Sequence, residues 1–137
     1  MQLFDGVKET HDRLEREEQQ RQSRREFDAT IERLTTVTEK EIEYLPAKVF
    51  YDELTRSLSG ETLIGFGEGE QEICIQAVKW AMDFIDTLPR MITPSLSIHK
   101  AYDHFQGTVK DMTNSKLALP TTEQFQQKHP VIDQGIV

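Results

Sequence analysis

The chain has 137 residues, of which 36% are hydrophobic and 29% are charged, and its formal net charge is −8. This length fits one domain with a modest core, and the polar composition predicts that some segment lies outside that core. The acidic excess falls in residues 39–86, which hold 11 acids and 4 bases, so nucleic acid and anionic membranes are disfavoured as partners.

The first 38 residues predict a long helix that extends beyond the compact part of the protein. No proline occurs there, and the apolar residues at both ends have helical spacing. Residues 15–26 contain no apolar side chain, but their Glu, Gln and Arg are strong helix formers. A continuous helix over residues 5–35 would be about 45 Å long. We interpret residues 1–38 as a docking or oligomerisation arm.

This arm is expected to bind protein, as part of a homo- or hetero-oligomer. Its apolar residues would bury surface against another chain, and its arginines would set register and orientation more than affinity. Residues 11–26 hold five arginines and five acids, so this neutral segment does not favour nucleic acid. The predicted protein-binding residues are Leu3, Phe4, Val7, Leu14, Arg21, Arg24 and Arg25.

Residues 39–119 are predicted to form a helical core. A capping box at Thr38 and Glu41 predicts a bend and then a short helix to about residue 44, and Pro46 predicts a break. The next apolar stripe predicts a helix from Ala47 that ends at Gly60. The glycine-dense residues 61–70 then predict a short strand or an apolar loop packed on the core.

Two strongly amphipathic helices follow, and they are expected to pack against each other. The first covers residues 71–88, and Pro89 is expected to end it. The second is predicted to start at Thr93-Pro94 and to run to about residue 113. Residues 120–137 predict a short helix and a tail. The side chains expected in the core between these two helices are Ile73, Val78, Trp80, Phe84, Tyr102 and Phe105.

No motif predicts a reaction or a ligand. The glycines of residues 65–69 lack the spacing of a dinucleotide site and the Lys-Ser/Thr pair of a phosphate loop. His99 and Asp103 are four residues apart, but two ligands do not make a metal site. Neither a Gly-x-Ser-x-Gly elbow nor a Glu-x-x-His pair is present. We therefore expect no catalytic residue, metal, cofactor or small-molecule substrate.

The location follows from what the sequence lacks. The single cysteine, Cys74, excludes an internal disulfide, fits a reducing compartment and is predicted to be a small core residue. The N-terminal residues lack the apolar stretch of a signal peptide, and no apolar run approaches the roughly 20 residues of a membrane span. We expect a soluble protein of the cytoplasm or of a virion.

These features predict a mainly α protein, in which a long N-terminal helix precedes a small bundle of about four helices with one Gly-rich loop. The function we expect is that of a non-enzymatic structural or adaptor subunit of a larger assembly, such as a virion or phage assembly component. The alternatives are a small acidic regulator or inhibitor that binds a basic protein surface, and an enzyme or metal protein that uses the His99 region. A regulator should be monomeric alone, whereas a metal protein should purify with its ion.

Overall fold

The computed structural model describes residues 2–37, 42–93 and 96–130, and for residues 2–11 it describes the backbone alone. The regular secondary structure of these residues is helical, apart from one isolated bridge between Thr93 and Leu96. The predicted mainly α fold, with a long first helix before a small bundle, is confirmed. The helices are α1 Gln2–Thr36, α2 Leu45–Ser57, α3 Gly60–Ile64, α4 Gln71–Met91, α5 Ile98–Met112 and α6 Thr122–Lys128.

Helix α1 contains 35 residues and ends at Thr36, within the β-branched cluster where a break was predicted. The hydroxyl groups of Thr35 and Thr36 both donate to the carbonyl of Glu32 at 2.9 Å, so these threonines bond back to the preceding turn. The predicted capping box at residues 38–41 lies outside the described residues. Residues 42–44 are not helical, so the short helix predicted to reach residue 44 is not found there.

The core is built around α4, against which α1, α2 and α5 all pack. Phe50 of α2 lies at its centre and has no solvent exposure. Its ring centroid lies 5.2 Å from those of Tyr102 and Phe105 and 5.6 Å from that of Phe125. Through these aromatic contacts the Phe50 ring packs α2 against α5 and α6.

The predicted core membership of α4 is confirmed in part. Val78 and Phe84 are buried, but Ile73 is 39% exposed and Trp80 lies half-buried at the rim, against Phe84. Burial of Ile73 and Trp80 was wrongly predicted because apolar residues of α4 occur in adjacent pairs, and the two members of a pair point about 100° apart on a helix. At the first pair the structure turns Cys74 inward and leaves Ile73 outside.

Two predicted breaks are instead the starts of helices. Pro46 lies in the first turn of α2, where its missing N–H has no helical partner to lose. Gly60 begins α3 rather than ending α2, because the hydroxyl of Ser59 accepts from the amide of Thr62 and caps a new helix. The strand predicted for residues 61–70 is wrong, because residues 61–64 belong to α3. The alternative, an apolar loop packed on the core, is found at Phe66, which is buried.

The ends of α4 and α5 also differ from the predicted ones. Helix α4 continues past Pro89 to Met91, although the proline cannot donate to the carbonyl of Ile85, and the amide of Ile92 closes the last turn on the carbonyl of Leu88. Helix α5 begins at Ile98 rather than at Thr93, because Ser97 provides the capping hydroxyl.

The chain reverses after α5 through two residues with left-handed backbone angles, Asn114 at φ 52° and Ser115 at φ 66°. This turn brings Leu117 and Leu119 back into the core. The predicted last helix is confirmed as α6, which begins with a capping box between Thr121 and Gln124.

Candidate protein-binding site

The N-terminal half of α1 forms an exposed arm. Every side chain from residue 12 to residue 22 is exposed, and Leu14 is 53% exposed. These eleven residues cover about 16 Å at 1.5 Å per residue. The backbone of Leu3, Phe4 and Val7 continues the same helix. The arm is therefore a helical segment whose described side chains take no part in the core.

The C-terminal half of the same helix is a core element. Phe27 and Ile31 are both 3% exposed, and the Phe27 ring lies 6.3 Å from that of Phe66. Gln20 also contacts the body, since its amide donates to the carboxylate of Glu68 at 3.3 Å. Because the helix is continuous, the packing of its second half sets the direction in which the arm projects.

Arg24 is an internal anchor, in contrast to its predicted partner-binding role. Its side chain is 24% exposed, its Nη1 donates to the carbonyl of Phe66, and it pairs with Asp28 at 3.6 Å. Its guanidinium also lies 5.0 Å from the centroid of the Phe27 ring. Arg21 and Arg25 are exposed. We therefore leave Arg24 out of the candidate binding surface.

Two of the remaining candidates, Arg21 and Arg25, share one face of α1 with the candidate Leu14 and with Glu18, which was not among the predicted binding residues. Leu14, Glu18, Arg21 and Arg25 follow the spacing i, i+4, i+7 and i+11, so they lie within about 40° of Leu14 around the helix axis. All four side chains are exposed. We refer to these four residues as the Leu14 stripe. The side chains that contact the body centre about 120° away around the axis, which leaves the stripe accessible along its whole length.

The Gly-rich loop between α3 and α4 is held by two cations rather than open to an anion. The carbonyl of Gly65 accepts from Lys116 Nζ at 3.1 Å, and the carbonyl of Phe66 accepts from Arg24. Lys116 also pairs with Glu70, and this hydrogen bond lowers the pKa of the Glu70 carboxyl. A phosphate-binding loop turns its N–H groups toward the ligand. Here the carbonyls face positive charge, so the loop joins α1 to the segment that follows α5.

A second cluster, centred on Glu53, was missed by sequence reasoning. Glu53 is only 2% exposed, and its carboxylate lies 2.8 Å from Lys128 Nζ and 3.2 Å from both Arg56 Nη1 and His129 Nε2. The sequence feature that could have identified Glu53 is its position three residues after Phe50, on the buried face of α2. Buried carboxylates require paired charges. The cluster joins α6 to α2 and is a structural contact.

The histidine region does not assemble a metal site. Asp103 accepts a hydrogen bond from Thr122 Oγ1 at 2.7 Å, whereas the His104 ring lies 5.9 Å from that of Trp80. Within residues 2–37, 42–93 and 96–130, no three metal-binding side chains come together. Cys74 has no solvent exposure, and burial raises the pKa of its thiol to about 12. The thiol is therefore protonated and unreactive at neutral pH.

An acidic cleft of about 220 Å³ lies between the start of α2 and the end of α4. Glu43 and Asp86 line it together with the apolar residues Met82 and Ile85. Burial raises the pKa of Tyr44, which also lines it. A concave site with both acidic and apolar lining residues suits a long basic side chain.

Comparison of the chain with protein-family models, with curated proteins and with solved structures found no significant match. Across the described ranges, no helix is both long enough and apolar enough to cross a membrane. Functional inference therefore starts from the residues of this chain alone, and chiefly from the exposed arm.

Proposed function

We propose that this protein is a non-enzymatic structural or adaptor subunit of a larger protein assembly, and that the exposed arm docks it there. The observation that carries this proposal is the run of exposed side chains at residues 12–22 on a helix whose other half is buried. A helix without tertiary packing is only marginally stable in water. Binding along the arm would supply that packing. A virion or phage particle is one setting for such a subunit.

Pre-organisation supports the docking role. Residues Phe27 and Ile31 hold the second half of α1 in the core, and Arg24 fastens it to the Gly-rich loop. The arm is thus presented as a helix in a set direction, which lowers the entropic cost of binding relative to a flexible tail. Leu14 supplies an apolar contact on the arm, and the neighbouring charges give it orientation.

The chemistry-bearing side chains also support a role without catalysis. Glu53 pairs with Lys128 and Arg56 and contacts His129, and the Cys74 thiol is buried with a raised pKa. Asp103 is engaged with Thr122 in joining α5 to α6. Each of these groups is engaged in the fold or held in an unreactive form, which leaves the arm as the feature that the fold does not explain.

The test is the size of the full chain in extracts of the cells or particles that contain it, measured by sedimentation. We expect wild-type chain in a complex larger than a monomer and Leu14→Arg as free chain. Ile64→Arg is the matched control, because Ile64 is 76% exposed and lies on α3 rather than on α1. A Leu14→Arg chain that stays in the complex, or a wild-type chain that sediments freely, would contradict the proposal.

The acidic cleft favours a second candidate, a small regulator that binds a basic protein surface. Glu43 and Asp86 would then pair with a lysine or arginine whose stem contacts Met82 and Ile85. The discriminating experiment is binding of an arginine-rich peptide to the full chain by calorimetry. Loss of binding in Glu43→Gln/Asp86→Asn, with a wild-type chain that is free in extracts, would favour the regulator over the assembly subunit.

A further inference from the structure

The Leu14 stripe points to a specific occupant. We propose that a second copy of this chain binds there, with the two arms side by side and antiparallel. This inference rests on the docking role proposed above and names the partner. It follows from the distribution of charge along α1 and from the position of the stripe relative to the body of the protein.

Residues 12–25 of α1 are divided into an acidic and a basic half. Residues 12–18 hold four acids and two arginines, whereas residues 19–25 hold three arginines and no acid. Because Arg24 is occupied within its own chain, the exposed charge is −2 in the first half and +2 in the second. A parallel pair would place like charges opposite each other. An antiparallel pair places each acidic half beside the basic half of the other copy.

The stripe itself provides a consistent antiparallel register. If the two-fold axis passes between residues 19 and 20, Glu18 of each copy faces Arg21 of the other. The same alignment places Leu14 opposite Arg25 of the other copy, whose aliphatic stem covers the leucine while its charged end remains in water. Every exposed member of the stripe therefore meets a suitable partner.

The body of the protein leaves room for this arrangement. Gln20, Arg24, Phe27 and Ile31 point toward the body, about 120° from the stripe around the axis of α1. Further along, Glu32 and Thr36 remain exposed on the stripe side. A second helix can thus lie along α1 without displacing the Gly-rich loop.

The interface is mainly ionic, so its stability should depend on salt. Exposed ion pairs contribute little each and are screened within about 10 Å at 0.1 M ionic strength. The two Glu18–Arg21 pairs should therefore give a weak association, and they also set the pairing direction. We expect a dimer that dissociates as the salt concentration rises.

The test uses purified full chain in sedimentation equilibrium at low salt. We expect a wild-type dimer, and about tenfold or more weaker association for Arg21→Glu/Arg25→Glu and for Glu18→Arg. An equimolar mixture of the two variants should recover a dimer, because the reversed charges are again complementary. Lys100→Glu/Lys110→Glu is the control, since it makes the same charge change on exposed sites of α5 and should leave the dimer intact.

A wild-type chain that is monomeric at every concentration, or variants that do not associate when mixed, would overturn the antiparallel homodimer. Circular dichroism of each variant establishes that the helices remain folded. The docking role is tested separately by the Leu14→Arg sedimentation in extracts. If the purified chain is monomeric while the extract complex still depends on Leu14, the docking role stands and its partner is a different protein.

Discussion

The ammonium group of Lys128 lies 2.8 Å from the buried carboxylate of Glu53, which joins the last helix to the second. Next to this ion pair the ring of Phe125 stacks on that of Tyr102, with centroids 3.8 Å apart. The Tyr102 hydroxyl donates to the carbonyl of Pro120 at 2.7 Å, just before α6. Helix α6 has only seven residues, so these tertiary contacts, rather than its own hydrogen bonds, hold it in place.

Replacing the buried carboxylate should weaken the fold. Glu53→Gln keeps the shape of the side chain but removes the charge that pairs with Lys128 and Arg56, and we expect a loss of about 1–3 kcal/mol in unfolding free energy. Asp52→Asn, one residue earlier and exposed, should change it by less than about 0.5 kcal/mol. Urea denaturation followed by circular dichroism measures both. Equal effects would show that the Glu53 cluster does not stabilise the protein.

Neighbouring arginines on α1 should differ in their effect on stability. Arg24→Met removes the hydrogen bond to Phe66 and the pairing with Asp28, and we expect it to cost about 1–3 kcal/mol. Arg25→Met changes an exposed residue and should stay within about 0.5 kcal/mol of wild type. Thermal melts of the two variants test this difference. A larger loss for Arg25→Met would contradict the anchor role of Arg24.

Phe50 should matter more than the only tryptophan. Phe50→Ala removes a ring with no solvent exposure that contacts three helices, and we expect a cost of about 3–5 kcal/mol, enough to unfold a marginal domain. Trp80→Ala should cost less, because Trp80 is half-buried at the rim. Chemical denaturation of both variants measures the two losses of unfolding free energy. A larger loss for Trp80→Ala would show that Trp80 is the central core residue.

Stability should fall in alkaline solution. Burial raises the pKa of the Cys74 thiol from 9.0 to about 12, so between these values the folded state holds a proton that the unfolded state has lost. The contribution of Cys74 is therefore fully present below pH 9 and is lost as the pH rises toward 12. Burial also raises the pKa of Tyr102 and adds to the same trend. The urea midpoint of Cys74→Ala should fall less steeply with pH across this window than that of the wild type. An identical fall in both proteins would show that Cys74 does not contribute to the alkaline loss of stability.

Removal of residues 2–18 should leave the body folded. The described side chains of this segment are all exposed, so we expect a change in unfolding free energy of less than about 1 kcal/mol, together with a loss of helical signal from the missing residues. Phe27→Ala is the contrasting change, because it empties a buried site on the same helix and should cost about 3–5 kcal/mol. A truncated chain that unfolds would show that the arm belongs to the core.

Local periodicity accounts for what could be predicted about the fold. Ile98, Tyr102, Phe105 and Val109 follow helical spacing, and all four are buried on α5 as expected. The exposed stretch of α1 was equally evident, since residues 15–26 contain no apolar side chain to bury. Both results depend on neighbours within a few turns of one helix, which is the range over which a sequence pattern carries information.

The sequence by itself thus determined the helical class, the long first helix and the charge division along its exposed half, because each depends on residues close together in the chain. Only the tertiary structure decided which polar residues serve the fold. Arg24 and Arg25 are adjacent and alike in sequence, yet only Arg24 meets the carbonyl of Phe66, 42 positions away. Glu53 likewise became a structural anchor because the reversal of the chain after α5 brought Lys128 to it. Contacts between distant residues depend on how the helices pack, and no local pattern encodes that packing.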